Sequence, residues 1–424
     1  MTSIDPVTRK VLRREIAKET SSWSSAALPF VLLIGVATFS IAFALHVDAQ
    51  QKGKLSKPRQ LDKGITWQRD PVTGELNLGP GSINGSEGEK PGEPRAGVIG
   101  SATVRLVPVT CSVLGGDSSV IVGLNSGNFL VYDDGIERPI QYFSAPSSDS
   151  ARVAMVIDAS PSVFPDAVQM RGAESALVDA LAPNDEVAVV DFAAHTFLQV
   201  GFSSDRELLH RAISRVDVRE LLGDTGGSNI YEAVYLTARQ LFPTAKGPQA
   251  IVLITDGEDS GLGLTMDPAS AAPPGGLRGT SFDKLTFEDL VRTLAAANIQ
   301  VFAISTENRP KIMTPAWLAK HADATLVTSD ARKLGIPPYT LYLAELVRRT
   351  GGQLYFLREA QSLSDTLRQI AQRVSAEYLL GFTPLPGADS DAPHPGWHSL
   401  RIEVAGRKNS TVVHQAAYYV PATR

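Results

Sequence analysis

Several short stretches of the chain are almost continuously apolar: Val153–Ile157, Val187–Phe192, Ala250–Thr255 and Ile299–Ile304. Runs of this length predict strands buried on both faces, as in the middle of a parallel sheet. The segments between them change period. Val168–Leu181 places Val168, Ala173, Leu177, Ala180 and Leu181 on one helical face. Leu208, Leu209, Ala212, Ile213 and Val216 form another, with Ser204 and Glu207 reading as its capping box. Ile230–Leu241, Leu285–Ala297 (entered through Thr286 and Asp289), Leu341–Thr350 (stopped by Gly351-Gly352) and Ser362–Tyr378 read as further helices. Thr196–Phe202 reads as a hairpin partner of the second strand, and Gln353–Leu357 as a late strand. Repeated βα units predict a doubly wound, mostly parallel sheet covered by helices on both faces.

The flanks follow a different pattern. Val104–Val113, Ser119–Val122, Phe129–Tyr132 and Ile140–Phe143 read as strands, with Asp133-Asp134-Gly135 as a hairpin turn. Tyr378–Phe382, Trp397–Val404 and Thr411–Val420 return to β after the last helix, and a shared sheet with the earlier β module is an open reading. Residues 260–282 and 307–338 interrupt the α/β pattern as long Gly- and Pro-containing insertions after strand ends.

Ahead of all this, Ala26–Val47 contains no Asp, Glu, Lys or Arg. That is about the 20 residues needed to cross a bilayer core. Arg9, Lys10, Arg13, Arg14 and Lys18 precede it, which predicts a cytoplasmic N-terminus and an exported bulk. The rival reading is a signal peptide cleaved after Val47-Asp48-Ala49, which would release the protein. The Gly-, Pro- and Glu-rich stretch that follows reads as a flexible linker. The expected organisation is a basic N-terminus (1–25), a transmembrane anchor (26–47), a linker (48–98), a small β module (99–148), an α/β domain (149–377) and a C-terminal β segment (378–424).

Composition narrows the chemistry. A net charge of -5 gives no reason to expect nucleic acid as a partner. The single cysteine, Cys111, excludes an internal disulfide and a Cys-based zinc site, and its apolar context predicts a buried, inert thiol.

Three stretches carry a cation-binding pattern. Asp158-x-Ser160-x-Ser162 follows the first buried strand, Gly226-Gly227-Ser228 precedes a helix, and Thr255-Asp256-Gly257 ends the third buried strand. A doubly wound sheet brings such strand ends to one carboxyl edge, where its ligands bind. Few charges among several neutral hydroxyls make a hard oxygen set suited to Mg²⁺, with Mn²⁺ or Ca²⁺ as alternatives. Asp158, Ser160, Ser162, Ser228 and Asp256 are the expected ligands, with Thr225 as the rival to Ser228. Each piece alone is a common turn or cap; the order of the set after buried strands gives it force. No general base or nucleophile is evident beside it. His195 and His210 are expected away from the motif, Glu258 and Asp259 read as solvated loop acids, and His394-x₃-His398 sits among prolines. Asp133 and Asp134 could bind a cation, but paired acids before Gly are more often turn residues.

These residues resemble the metal-ion-dependent adhesion site of the von Willebrand factor type A domain, with Ser228 where the family usually has Thr and Pro161 where it usually has Gly. Gly123–Gly135, Thr255–Ser260, Gly351-Gly352, Tyr378–Pro384 and Ala417–Pro421 also look like the bacterial VWFA-related family first described from acidobacteria, so the resemblance spans about residues 102–421. It implies an exported metal-dependent binding module, with no assigned reaction for that bacterial family. The leading reading is a non-catalytic protein whose cation bridges to an Asp or Glu of a protein partner. A metal-assisted hydrolase and an assembly subunit with a degenerate site are the competing readings.

Overall fold

The computed structural model describes residues 55–69, 76–78, 106–116, 119–146, 150–216, 227–242, 247–260, 285–314, 317, 333–357, 363–386, 394–407 and 409–420. The expected membrane segment 26–47 and the greater part of both insertions lie outside them. Among the described residues no helix is long and apolar enough to cross a membrane.

In chain order the strands and helices begin with β1 (Arg59–Gln60), β2 (Trp67–Arg69) and β3 (Leu76–Leu78). Next come β4 (Val107–Gly115), β5 (Phe129–Asp133), β6 (Ile136–Arg138) and β7 (Ile140–Ser144). The α/β region opens with β8 (Arg152–Asp158), α1 (Ala167–Ala180), β9 (Glu186–Phe192), β10 (Thr196–Ser203) and α2 (Arg206–Ile213). It continues through α3 (Ile230–Leu241), β11 (Gln249–Thr255), α4 (Phe287–Ala296) and β12 (Ile299–Ser305). It ends with α5 (Pro338–Thr350), β13 (Leu354–Phe356) and α6 (Leu363–Ser375). β14 (Tyr378–Phe382), β15 (Gly396–Val404), β16 (Ser410–His414) and β17 (Ala417–Val420) follow.

The central sheet has the order β1-β10-β9-β8-β11-β12-β13. β9, β8, β11, β12 and β13 are parallel, and β10 and β1 add an antiparallel edge. Side chains alternate across each buried strand and divide into two cores. Ala154, Val156, Ile251, Leu253, Val301 and Ala303 face α3, α4 and α5. Val153, Met155, Ile157, Val252, Ile254 and Ile304 face α1, α2 and α6. This is the expected doubly wound arrangement.

Local chemistry explains the helix boundaries. Thr286 and Asp289 form the expected reciprocal capping box at α4. At α2 the cap is Asp205, one residue beyond the expected Ser204, because its carboxylate accepts from Leu208 N at 3.1 Å. Gly351 ends α5 with φ 79°, a left-handed cap that favours glycine. At Gly352 a Cβ would stand 1.8 Å from the Val301 carbonyl oxygen, so only glycine lets this turn lie on β12.

Asp185 ties the domain's entrance to its exit. Its carboxylate accepts from Ala151 N at 2.8 Å, Ala182 N at 3.0 Å and Ser375 Oγ at 2.8 Å. Asp185→Ala strands a buried donor at Ala151, and we expect a loss of about 2–3 kcal/mol in denaturant unfolding. An unchanged midpoint would refute this role.

Three expectations are corrected. The described part of the expected linker is packed: β1 pairs with β10, and Leu61 and Leu76 are buried in the core under α3. Tyr235 Oη donates to the Leu76 carbonyl at 3.0 Å, and Arg69 binds Asp289 with both guanidinium nitrogens, at 2.9 and 2.6 Å. Enough apolar surface is therefore buried here to offset chain entropy, although the polar average of the stretch hides it. Ser119–Val122 is no strand; it makes one bridge, Leu114 to Val120, and Val122 is exposed. The two flanking β segments, expected as separate units with a shared sheet left open, do share sheets. β16-β4-β14-β7 and β17-β15-β5-β6 form two four-stranded sheets around Val109, Cys111, Phe129, Val131, Leu380 and Ile402. The α/β domain is thus inserted into one β-sandwich. Cys111 is fully buried, and burial pushes its thiol up, so it is inert as expected.

The sandwich meets the α/β domain through β4, at the amino-terminal ends of β12 and β13. Thr110 N donates to Asn298 Oδ1 at 3.1 Å. Arg373 spans the seam, donating to Ser112 Oγ at 3.3 Å, Gln353 Oε1 at 3.0 Å and the Gly351 carbonyl at 3.3 Å. Its guanidinium also lies 5.0 Å from the Phe302 ring centre.

Candidate metal centre

β8 ends in Asp158 because the chain must leave the core there, and the carboxylate stays 2% exposed. The next residues turn at once. Ala159 N donates to the Phe192 carbonyl at 2.7 Å, which folds the loop over the end of β9. Ser160 N donates to Asp158 Oδ1 at 2.9 Å, and the Ser160 and Ser162 hydroxyls lie 3.0 Å apart. Pro161 opens a 3₁₀ turn, Pro161–Asp166, that leads into α1.

The second loop arrives just before α3. Ser228 Oγ donates to Asp158 Oδ2 at 3.2 Å. Gly227 has φ 82°, and a Cβ there would meet Ser260 Oγ at 2.7 Å. Glycine is therefore required on both counts. Ser228 N donates to Ser260 Oγ at 3.2 Å and Ser260 N donates to the Ser228 carbonyl at 2.6 Å, which fastens this loop to the third. Thr225 lies outside the described residues.

The third loop follows β11. Asp256 is buried, and its Oδ1 accepts from Glu258 N at 2.9 Å. Thr255 was not among the expected ligands, yet its Oγ1 donates to Asp158 Oδ2 at 2.6 Å and accepts from Gly257 N at 3.0 Å. A polar residue closing an otherwise apolar strand was the signal for it. Asp259 is buried rather than solvated, and it accepts from Tyr231 N at 3.4 Å in the first turn of α3. Glu258 is exposed, as expected.

The structure thus joins Asp158, Ser160, Ser162 and Ser228 in one hydrogen-bonded group, with Asp256 close enough to act on Asp158 by charge. Burial raises the Asp158 carboxyl to about 6; hydrogen bonds from Ser160 and Thr255 oppose this, and the neighbouring Asp256 adds to it. The groups acting on Asp158 include a second acid and no base. A buried carboxylate supported by neutral hydroxyls, with no positive partner among the described residues, fits a hard divalent cation.

Thr255→Val keeps the shape and removes the hydroxyl. Loss of such an outer support weakens a cation site by about 10–100-fold, which calorimetry with Mg²⁺ would measure. An unaltered affinity would remove Thr255 from the site.

His195 corrects one expectation. It lies in the turn after β9, whose end pairs with that of β8, so it does follow a strand's carboxyl end. Its Nδ1 is 2.6 Å from Asp62 Oδ2. His210 sits on α2, 2.9 Å from Asp179, as a surface pair.

The family model of the von Willebrand factor type A domain matches residues 153–258, and the chain carries such a domain. The match spans the strands and loops that hold Asp158, Ser228 and Asp256. No curated protein matches the chain. Among solved structures, BatB from Bacteroides thetaiotaomicron is 21% identical, covering 53% of this chain and 98% of its own at a TM-score of 0.35. A von Willebrand factor type A protein from Catenulispora acidiphila is 14% identical over 74% of each chain, with a TM-score of 0.33. Proximal thread matrix protein 1 from the mussel byssus, with a zinc-occupied MIDAS motif, is 16% identical over 57% of this chain and 49% of its own, with a TM-score of 0.37.

Proposed function

We propose that this protein is an exported, membrane-anchored binding module that grips a protein partner through a divalent cation and catalyses no reaction. The buried Asp158 carboxylate carries the reading: it is surrounded by hydroxyls at the sheet's carboxyl edge and has no basic partner among the described residues. Asp158, Ser160, Ser162, Ser228 and Asp256 hold Mg²⁺, or Mn²⁺ or Ca²⁺ in its place. An Asp or Glu of the partner completes the coordination. The apolar, charge-free stretch 26–47 with its basic flank supports a single span of the bacterial inner membrane, with the bulk of the chain outside the cytoplasm. Cleavage of that stretch would instead release the protein.

A partner recovered from the native envelope by the wild-type chain should be lost with chelator and with Asp158→Ala. Capture that ignores both would refute the cation-dependent grip. The His195–Asp62 pair, at the same sheet edge, is the one observation favouring a metal-assisted hydrolase. Turnover of a hydrolase substrate panel that vanishes in both Asp158→Ala and His195→Ala would establish that reading instead.

A further inference from the structure

We propose a second, structural metal site in the β-sandwich, formed by Asp133, Asp134 and His398 and suited to Zn²⁺ or a similar borderline divalent ion. One ligand atom from each of the three lies within 4.8 Å of the others. The turn Asp134-Gly135, with φ 47° and 82°, joins β5 to β6 and places both acids against β15.

The ring of His398 is oriented for the task. Its Nε2 is 2.7 Å from the His394 carbonyl oxygen. A carbonyl only accepts, so Nε2 carries the proton, and Nδ1 faces the acids. Nδ1 lies 2.8 Å from Asp134 Oδ2 and 3.5 Å from Asp133 Oδ1. The ring stacks on Tyr418 at 5.0 Å, which fixes its plane.

Each acid has its other oxygen occupied. Asp133 Oδ2 accepts from Leu385 N at 2.7 Å. Asp134 Oδ1 accepts from Ser399 N at 2.7 Å and from Ser399 Oγ at 3.0 Å. What remains is one oxygen from each acid and one ring nitrogen, all converging. Holding the far atom of every ligand in this way is how proteins orient metal ligands.

The second observation is an orphan. Asp133 is fully buried, and its converging Oδ1 has no hydrogen-bond partner. The buried Tyr418 hydroxyl is a hydrogen-bonding neighbour of Asp133, but neither that hydroxyl nor Asp133 Oδ1 finds a partner at full hydrogen-bond geometry. A buried charged oxygen left without a partner is costly, and a cation removes that cost. One nitrogen and two carboxylate oxygens suit Zn²⁺, whose bonds of about 2.0–2.2 Å separate tetrahedral ligands by roughly 3.3 Å. The Asp133–His398 spacing already matches. Asp134, whose side chain is 45% exposed, must withdraw by about half an ångström and leaves an entry path. The ion would tie the β5–β6 turn, β15 and the Leu385 loop together.

The test uses the full-length chain, stripped with chelator, in an Asp158→Ala background so that the sheet-edge site does not contribute. Zn²⁺ titration by calorimetry should show one equivalent in Asp158→Ala. Adding His398→Gln, which keeps a donor for the His394 carbonyl, or Asp134→Asn, which tolerates the left-handed turn, should weaken binding at least about 100-fold. Co²⁺ absorption should lose its signal in the same variants. Absence of Zn²⁺ and Co²⁺ binding in Asp158→Ala would overturn the proposal, as would binding unchanged in both double variants. So would nitrogen resonances showing both ring nitrogens of His398 protonated in excess Zn²⁺, the mark of a plain ion pair. Loss of Mg²⁺ binding by wild type, with Zn²⁺ binding intact, would refute only the sheet-edge site.

Discussion

Asp158→Ala should abolish Mg²⁺ binding at the sheet edge, with affinity falling at least about 100-fold, or roughly 3 kcal/mol. Asp158 is the one residue that all three loops address: Ser160 from its own loop, Ser228 from the second and Thr255 from the third. Among the described residues its charge has no basic partner to leave behind. Removing it strands the Ser160 N–H and the Ser228 and Thr255 hydroxyls, a loss of about 1–3 kcal/mol that relief of a buried unbalanced carboxylate offsets in part, so the metal-free variant should still fold. Two melting curves decide the matter. Wild type should gain stability with Mg²⁺ by mass action, about 2.7 kcal/mol at a hundred times Kd, and lose it with chelator. Asp158→Ala, stripped with chelator beforehand, should melt alike with and without added Mg²⁺. A variant that still responds to Mg²⁺ would show that the cation is held elsewhere.

Glu377→Gln should stabilise the protein at and above neutral pH. Glu377 is fully buried in the seam between α6 and β14, and neither of its oxygens has a partner at hydrogen-bond geometry. Burial raises its carboxyl to about 8, while the charge of Arg373 and the nearby Ser112 and Gln300 pull the other way. The raised value means the folded state prefers the protonated form. Below about pH 4.5 the group is protonated in both states and imposes no penalty. Between that and about 8 the unfolded chain ionises while the folded one keeps its proton, so stability falls as pH rises. Above that window the penalty is complete, at roughly 3–5 kcal/mol as an upper bound. Gln copies the neutral carboxyl. The variant should match wild type near pH 4 and exceed it near pH 9 in chemical denaturation. A variant equal to or below wild type at pH 9 would refute the assignment.

The strand order and the cation loops were legible for one shared reason. Fully buried strands leave continuous apolar runs, and the polar residue that ends such a run must lie at a sheet edge. Asp158 and Asp256 were visible that way. Thr255 carried the same signal as the polar residue closing its strand, but its task of bracing Asp158 depends on the neighbouring strand and not on a local pattern. The packed segment around Leu61 and Leu76 was hidden by the polar residues on either side of it. The Asp133–His398 cluster was legible only in pieces, the acid pair as a turn that could bind a cation and the histidine pair by its spacing, since the β5–β6 hairpin and β15 are paired from distant parts of the chain. His394 and His398 read as an unpromising pair; in fact His394 supports the other's ring through its backbone.

The inserted topology sets the order in which this molecule can assemble. During synthesis β4 and β7 emerge long before β14, the strand that lies between them in the sheet. Closing so long a loop in an unfolded chain is slow and exposes unpaired edges meanwhile. The α/β domain shortens the search. Once Asp185 gathers Ala151 and Ser375 onto one carboxylate, the two stems of the sandwich leave the domain side by side. Leu379 then meets Ser144, and Tyr378 meets Cys111. The domain that carries the cation loops serves during folding as the jig on which its own support is built.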